Sequence, residues 1–299
     1  MSGINDHRIK YLFEAVRLKS VRAAADYLNV APSAVSRQIS QLEQELFTPL
    51  IERHRRGINP TEAGERLLEY HHQHVAQQEL LLDSLQSLRG LHSGSITLAI
   101  GEGYIDSVST IISAFSCRYP GIRIQVEVCG SNEVIRAIAE DEAHIGILFN
   151  PARDTKLRSH QSFIHPLCVI AHPEHPIASV NERIEMHTLT QYRIALTRVS
   201  HGIRQIVTVV EEDTGISLDP TLVCNNLMLL KTYARDGGLT LLPSFMVEKE
   251  VADKQLVALP LHHNFFSATE THIVTRLGRQ LGSGVNKLLQ QILSTLFKG

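Results

Sequence analysis

The chain lacks tryptophan, and aromatic residues make up 5% of its 299 positions. It has no apolar run approaching the roughly 18–20 residues needed to span a bilayer, and its first residues, Met1-Ser-Gly-Ile-Asn-Asp-His-Arg, lack the apolar stretch of a signal peptide. A cytoplasmic protein with no membrane contact is therefore expected. Cys117, Cys129, Cys168 and Cys224 form no Cys-x-x-Cys pair, which argues for packing thiols in a reducing compartment. Catalytic signatures are missing too: there is no Gly-x-Ser-x-Gly, no His-Glu-x-x-His and no phosphate loop. Gly101-x-Gly103 has no third glycine at dinucleotide-binding spacing, and Pro60 disqualifies Asn59-Pro60-Thr61 as a glycosylation acceptor. An enzyme built on the C-terminal half would need a convergent catalytic set, and none is legible.

The net charge of −2 hides an asymmetry: residues 1–60 hold nine Lys and Arg against six Asp and Glu, whereas the rest hold twenty against twenty-five. A mildly basic head on an acidic body suits nucleic-acid contact at one end.

That head reads as closely spaced helices. Ile9, Leu12, Phe13 and Val16 recur at helical spacing, and Ser20 is placed to cap a second helix carrying Ala23, Ala24, Ala25 and Leu28. Pro32 stands where a third helix would begin, pre-set in φ and with no N–H to lose. That helix puts Val35, Ile39, Leu42 and Leu46 on one side and Ser33, Ser36, Arg37 and Ser40 on the other. Small residues at 24 and 25 permit a close crossing, with Val30 in the angle. The polar face suits a major groove, although an ordinary helical hairpin would show the same pattern. The segment 50–61 favours the first reading. It sets Arg53, His54, Arg55 and Arg56 around a Gly57 turn with apolar flanks, as a two-stranded wing with cations for phosphates or a minor groove would.

Thr61 then caps a long helix expected to reach residue 91, with Leu67, His71, His74, Leu81, Leu85 and Leu88 as an imperfect heptad stripe for pairing with a second copy. His71 and His74 share a face, but no third ligand accompanies them, and no metal is expected. His92-Ser-Gly-Ser95 reads as a linker. Beyond it the pattern predicts strands at 96–100, 122–128, 145–149, 166–171, 193–196, 221–224, 239–242 and 272–275, helices between most of them and a last helix at 285–296.

Ala24-Ala-Asp-Tyr-Leu-Asn-Val-Ala-Pro-Ser-Ala-Val-Ser-Arg-Gln-Ile-Ser-Gln-Leu-Glu43, Glu45-Leu46, Pro49-Leu-Ile-Glu-Arg53 and Pro60-Thr-Glu-Ala-Gly64 closely resemble the LysR-type transcriptional regulators. Gly94-Ser-Ile-Thr-Leu98, Tyr119-Pro-Gly121, His175-Pro-Ile-Ala178 and Gly237-Gly-Leu-Thr-Leu-Leu-Pro243 extend the resemblance over essentially the whole chain. It implies an α+β protein: a winged helix-turn-helix at 1–61, a dimerising linker helix at 62–91, and at 92–299 a two-lobed α/β effector domain resembling type 2 periplasmic binding proteins. Lobe one would hold 93–163 and 268–299, and lobe two 164–267. The implied function is sequence-specific transcription regulation modulated by a small molecule held between the lobes. The partners would be double-stranded promoter DNA on a partly palindromic site, further copies in a homodimer or homotetramer, and RNA polymerase if the protein activates. No cofactor beyond the effector is expected.

One departure bears on specificity. Family members often carry Gln where this chain has Pro32, and Ser is frequent where it has Ala31. Base reading then falls on Ser33, Ser36 and Arg37. Arg37 would either grip a guanine or hold a phosphate, with Ser40, Arg53, Arg55 and Arg56 as further DNA contacts. For the effector, strand ends and helix starts nominate Gly103, Tyr104, Ser131, Asn132, Phe149, Arg198, Ser200, His201, Asn225 and Asn226. Arg198 and His201 would suit a carboxylate, and Tyr104 and Phe149 a flat ring. Glu102 adds negative charge at the same mouth, which makes an amino acid the other option.

Overall fold

The structure is a computed structural model, and it describes residues 5–54, 57–88, 94–179, 184–198 and 201–297. The chain divides into two compact units, 1–82 and 83–299.

In the first unit, α1 (Asp6–Arg17), α2 (Val21–Leu28) and α3 (Pro32–Leu46) enclose one core. Local chemistry sets their ends. The Ser20 hydroxyl accepts the Ala23 N–H at 3.2 Å, and Asn29 closes α2 in the left-handed region at φ 54°. Pro32 opens α3, and Ala31 before it provides no side-chain cap. Ile9, Leu12, Ala15, Ala24, Ala25, Val35, Ile39 and Leu42 are buried together. Phe13, expected on this stripe, instead sets its ring 5.3 Å from those of both His71 and His72.

Strands β1 (Ile51–His54) and β2 (Gly57–Pro60) form an antiparallel hairpin with His54 opposite Gly57. The Glu43 carboxylate ties it to α3 by accepting the Leu50 N–H at 2.8 Å.

Helix α4 (Glu62–Leu88) starts where the Thr61 hydroxyl accepts the Gly64 N–H at 3.1 Å and donates to the Pro49 carbonyl at 2.8 Å. A Cβ at Gly64 would meet the Leu50 carbonyl oxygen at 2.1 Å, so only glycine lets helix and hairpin approach so closely. The 27 residues of α4 span about 40 Å. Residues 89–91 of the expected helix lie outside the described residues, and of the expected linker Gly94 and Ser95 belong to a strand. The long helix has two characters. Leu67 joins the core, and the His74 ring stands 3.3 Å from the Asp6 carboxylate. Leu81, Leu82 and Leu85 are 60%, 58% and 48% exposed.

In the second unit, β3 (Gly94–Ile100), β4 (Ile122–Val128), β5 (Ile145–Phe149), β6 (Leu157–Ile164) and β12 (Glu270–Arg276) make one sheet in the order β4-β3-β5-β12-β6. Helices α5 (Ile105–Arg118), α6 (Ser131–Ala139) and α12 (Ser283–Thr295) belong to this lobe. A second sheet, ordered β11-β7-β10-β8-β9, holds β7 (Leu167–Ala171), β8 (Ile194–Thr197), β9 (Leu222–Cys224), β10 (Leu239–Pro243) and β11 (Val257–Pro260). With it go α7 (Met186–Leu189), α8 (Gly202–Thr214), α9 (Leu227–Arg235), α10 (Glu248–Ala252) and α11 (Asn264–Ser267).

Strands β6 and β11 were not expected from sequence. Each is an edge strand of its sheet: β6 is mostly polar and partly exposed, whereas β11 is a four-residue apolar stretch, Val257-Ala-Leu-Pro260, too short and too close to its proline to read as a strand.

The chain passes between the lobes twice, after β6 and before β12. The two passages are joined: the His165 N–H donates to the Thr269 carbonyl at 2.8 Å, and the Thr269 hydroxyl to the His165 carbonyl at 2.7 Å.

Candidate functional site

The residues nominated from the sequence fall on two surfaces, one in each unit. On α3, Ser33, Arg37 and Ser40 are exposed at intervals of four and three residues and share a face; Ser36 beside them is half-buried. The opposite face buries Val35, Ile39 and Leu42, so core packing fixes the direction in which the polar face points. Arg53 and His54 are exposed on β1. Arg55 and Arg56 lie outside the described residues.

In the second unit, four segments come together at strand ends. From the first lobe come the turn after β3, Gly101–Tyr104, and Ser131 at the start of α6. From the second come His201 and Gly202 at the start of α8, and Asn226 and Leu227 at the start of α9. Neither α6 nor α8 has a side-chain cap, so first-turn N–H groups from both lobes border the same space.

The space is small. The cavity measures about 30 Å³, whereas ligand pockets run to about 300 Å³ or more. The lobes are in direct contact around it. The Glu102 carboxylate accepts the Leu227 N–H at 2.8 Å and the Asn226 amide at 3.2 Å. The Gln205 amide donates to the Asn132 carbonyl oxygen at 3.0 Å, and the Lys249 ammonium meets the Asp106 carboxylate at 2.5 Å. A Cβ at Gly202 would lie 2.2 Å from the Phe149 carbonyl oxygen and 3.0 Å from the Ser131 hydroxyl.

The sequence-nominated effector residues separate on this geometry. Gly103, Ser131 and His201 border the cavity, with Gly103 against the Met246 thioether. Burial, with Arg198 adding to it, holds the His201 imidazole below its usual range against the opposing pull of Glu133 and Glu102. Asn132 and Asn226 are tied up in the interlobe bonds. The two aromatics do not offer free faces. Tyr104 is 1% exposed, stacks on Phe245 with centroids 5.5 Å apart and bonds Thr271 at 2.9 Å through its hydroxyl; burial drives that hydroxyl far above the usual phenol range. Phe149 is 4% exposed and packs in the same core. Both border the cavity as wall, because the requirement for a packed core outcompetes a platform for stacking. Arg198 and Asn225 are exposed and do not border the cavity. Ser200 lies outside the described residues.

Sequence reasoning missed Cys129, Ile203, Leu227 and Met246 as cavity walls, all of them side chains that look like generic core. Burial beside Glu133 and Glu127 raises the Cys129 thiol to about 11, so it borders the cavity as a neutral group. Thr197 ends β8 and opens the segment 197–201 that the sequence places at the cleft; its buried hydroxyl has no hydrogen-bond partner among the described residues. Among the described residues no group of three His, Cys, Asp or Glu could hold a metal ion.

Residues 7–65 match the bacterial regulatory helix-turn-helix proteins of the lysR family, and residues 89–296 match the LysR substrate binding domain. The chain belongs to the LysR family of transcriptional regulators. The RuBisCO operon transcriptional regulator of Allochromatium vinosum is 25% identical to it over 287 residues, covering 95% of this chain and 94% of that protein. Among solved structures, a full-length OxyR variant from Pseudomonas aeruginosa superposes with a TM-score of 0.65 at 15% identity, covering 99% of this chain and 95% of the other. The regulatory domain of CcmR from Synechocystis PCC6803, in complex with 2-PG, gives 0.61 at 20% identity over 69% of this chain and 99% of its own. As a LysR-type regulator the chain joins a DNA-binding helix-turn-helix to an effector-binding domain of two α/β lobes, in a family of regulators rather than enzymes. No helix among the described residues is long and apolar enough to cross a membrane.

Proposed function

We propose that this regulator reads double-stranded promoter DNA with the exposed face of α3 and adjusts that binding to a small-molecule effector held between the lobes of residues 92–299. The observation that carries the first half is the face of Ser33, Arg37 and Ser40 beside the hairpin that bears Arg53. A helix with a dry back and a short polar front, flanked by a cationic hairpin, fits a major groove with its adjoining phosphates. Ser36, Arg55 and Arg56 complete the contact set. Residues 1–61 form the DNA-binding domain and 62–91 the dimerising helix, whose exposed Leu81, Leu82 and Leu85 seek a second copy in a homodimer or homotetramer. The protein works in the cytoplasm without catalysis or cofactor, and contacts RNA polymerase if it activates.

For the second half, uncapped helix starts from both lobes border one closed space, and the CcmR domain that this chain resembles holds 2-PG. The effector is a carboxylate or an amino acid, bound among Gly103, Ser131, Asn132, His201 and Asn226. Tyr104 and Phe149 serve as walls, and Arg198, Ser200 and Asn225 are further candidates for contact with the effector. Binding shifts the balance of lobe positions and through it the geometry of the DNA-binding heads.

The test is footprinting of the full-length protein on its own promoter region, with and without metabolites that raise its melting temperature. A ligand at about a hundred times its dissociation constant adds roughly 2.7 kcal/mol. A protected DNA span that changes with the ligand supports the reading; a span that stays the same with a bound ligand sinks the mechanism.

A further inference from the structure

The cleft already contains an anion, and it is the protein's own. Glu102 stands on the first lobe in the turn that follows β3, and its carboxylate reaches across to the start of α9 on the second. One oxygen accepts the Leu227 N–H at 2.8 Å and the other the Asn226 amide at 3.2 Å. Leu227 is the first residue of a nine-residue helix whose cap, Asn226, spends its own side-chain oxygen on the Leu229 N–H at 2.9 Å. The Leu227 N–H is thus left to Glu102, in the position where a helix start best accommodates negative charge.

Among the described residues, no lysine or arginine lines the cavity. Its two ionisable groups of functional interest are Glu102 itself and His201, which burial keeps toward its neutral form. An external carboxylate at α9 would have to displace Glu102, and then either carry it along unpaired or force the lobes apart.

Resting on the reading of this cleft as the effector site, we infer that Glu102 is a tethered ligand and the specificity-determining residue of the cleft. It fills the α9 anion position from within, holds the lobes shut without an effector, and bars simple anions from that position. A ligand engaging this side of the cleft therefore presents a hydrogen-bond donor to Glu102, of the ammonium or amide class.

The experiment is hydrogen exchange on the full-length protein, read at the amides of Leu227 to Leu230 in wild type, Glu102→Ala and Glu102→Gln, in sodium formate and in sodium chloride of equal ionic strength. In wild type these amides are protected and formate changes nothing. In Glu102→Ala protection falls by about tenfold or more, as expected for loss of a charge-assisted bond, and formate restores it by occupying the vacated position. Glu102→Gln keeps the volume and one acceptor oxygen; it retains part of the protection and does not respond to formate, and it stands as the test if the alanine variant fails to fold. Unchanged protection in both variants, or an equal formate response in wild type and Glu102→Ala, overturns the inference while leaving the effector cleft untouched. If protection depends on Glu102 but no metabolite binds, Glu102 stands as the clasp between the lobes, and its role in specificity falls with the effector reading.

Discussion

Gly202 and Phe149 belong to different lobes, yet a Cβ on Gly202 would lie 2.2 Å from the carbonyl oxygen of Phe149. Backbone of one lobe thus rests on backbone of the other, and no side chain can yield to relieve a clash there. Gly202→Ala is expected to part the lobes rather than unfold them, since an added methyl in a tight contact costs about 1–3 kcal/mol. Small-angle scattering and exchange of the Ser131 and Gly202 amides check this. A compact, protected variant would contradict the contact.

Arg37 is exposed at the centre of the polar face of α3. If it grips a guanine, Arg37→Ala loses about 1–3 kcal/mol of discrimination at one base pair and little elsewhere. Binding to a set of promoter variants measures this, and a uniform loss over all of them would assign Arg37 to a phosphate.

Arg53 is exposed on β1 and is expected to neutralise one phosphate. In Arg53→Ala the slope of log affinity against log salt should shrink by about 0.9. Salt titrations of DNA binding give the slope, and an unchanged value would place the hairpin off the backbone.

Leu81 and Leu85 are 60% and 48% exposed on α4. The double change Leu81→Ser with Leu85→Ser should break the assembly into smaller species in sedimentation while far-ultraviolet circular dichroism stays helical. Exposed leucines gain little for the isolated chain, so an unaltered mass would move the interface elsewhere.

Burial holds the imidazoles of His160, His165, His175, His201 and His272 below their usual range. A folded pKa lowered in this way means that the unfolded chain binds more protons once the pH drops to about 6.5. Stability should be full above that point and decline as the pH falls from it toward the lowered folded values. Denaturant melts of the full-length protein between pH 8 and about pH 5 check the sign. His165→Gln, which removes one of the five while leaving a polar partner for Thr271 at the lobe passage, should flatten the decline.

The parts legible in the sequence were those decided within a few residues. Ser20 and Thr61 mark helix starts because a cap and its N–H are chain neighbours, Pro32 because its ring pre-sets φ at a first helical position, and the alternation of core and polar positions on α3 follows from helical geometry. β6 escaped notice because an edge strand can be mostly polar, and β11 because four apolar residues ending in proline do not separate from a loop. Tyr104 and Phe149 show where pattern fails at a site: an aromatic next to a strand end reads the same whether it faces a ligand or a core. Glu102 and Leu227 are 125 positions apart, and their bond exists only because two lobes meet. The charge at 102 was visible, but not the group it answers.

The joined passages at His165 and Thr269 have a mechanical consequence. Two separate ribbons would let one lobe slide, twist or tilt against the other. Fastened side by side, they leave a single pivot, and motion becomes a swing about it. Displacement then grows with distance from the pivot, so a few degrees that scarcely disturb the residues beside it become an ångström-scale stroke at the far rim. The stitch turns a soft joint into a lever.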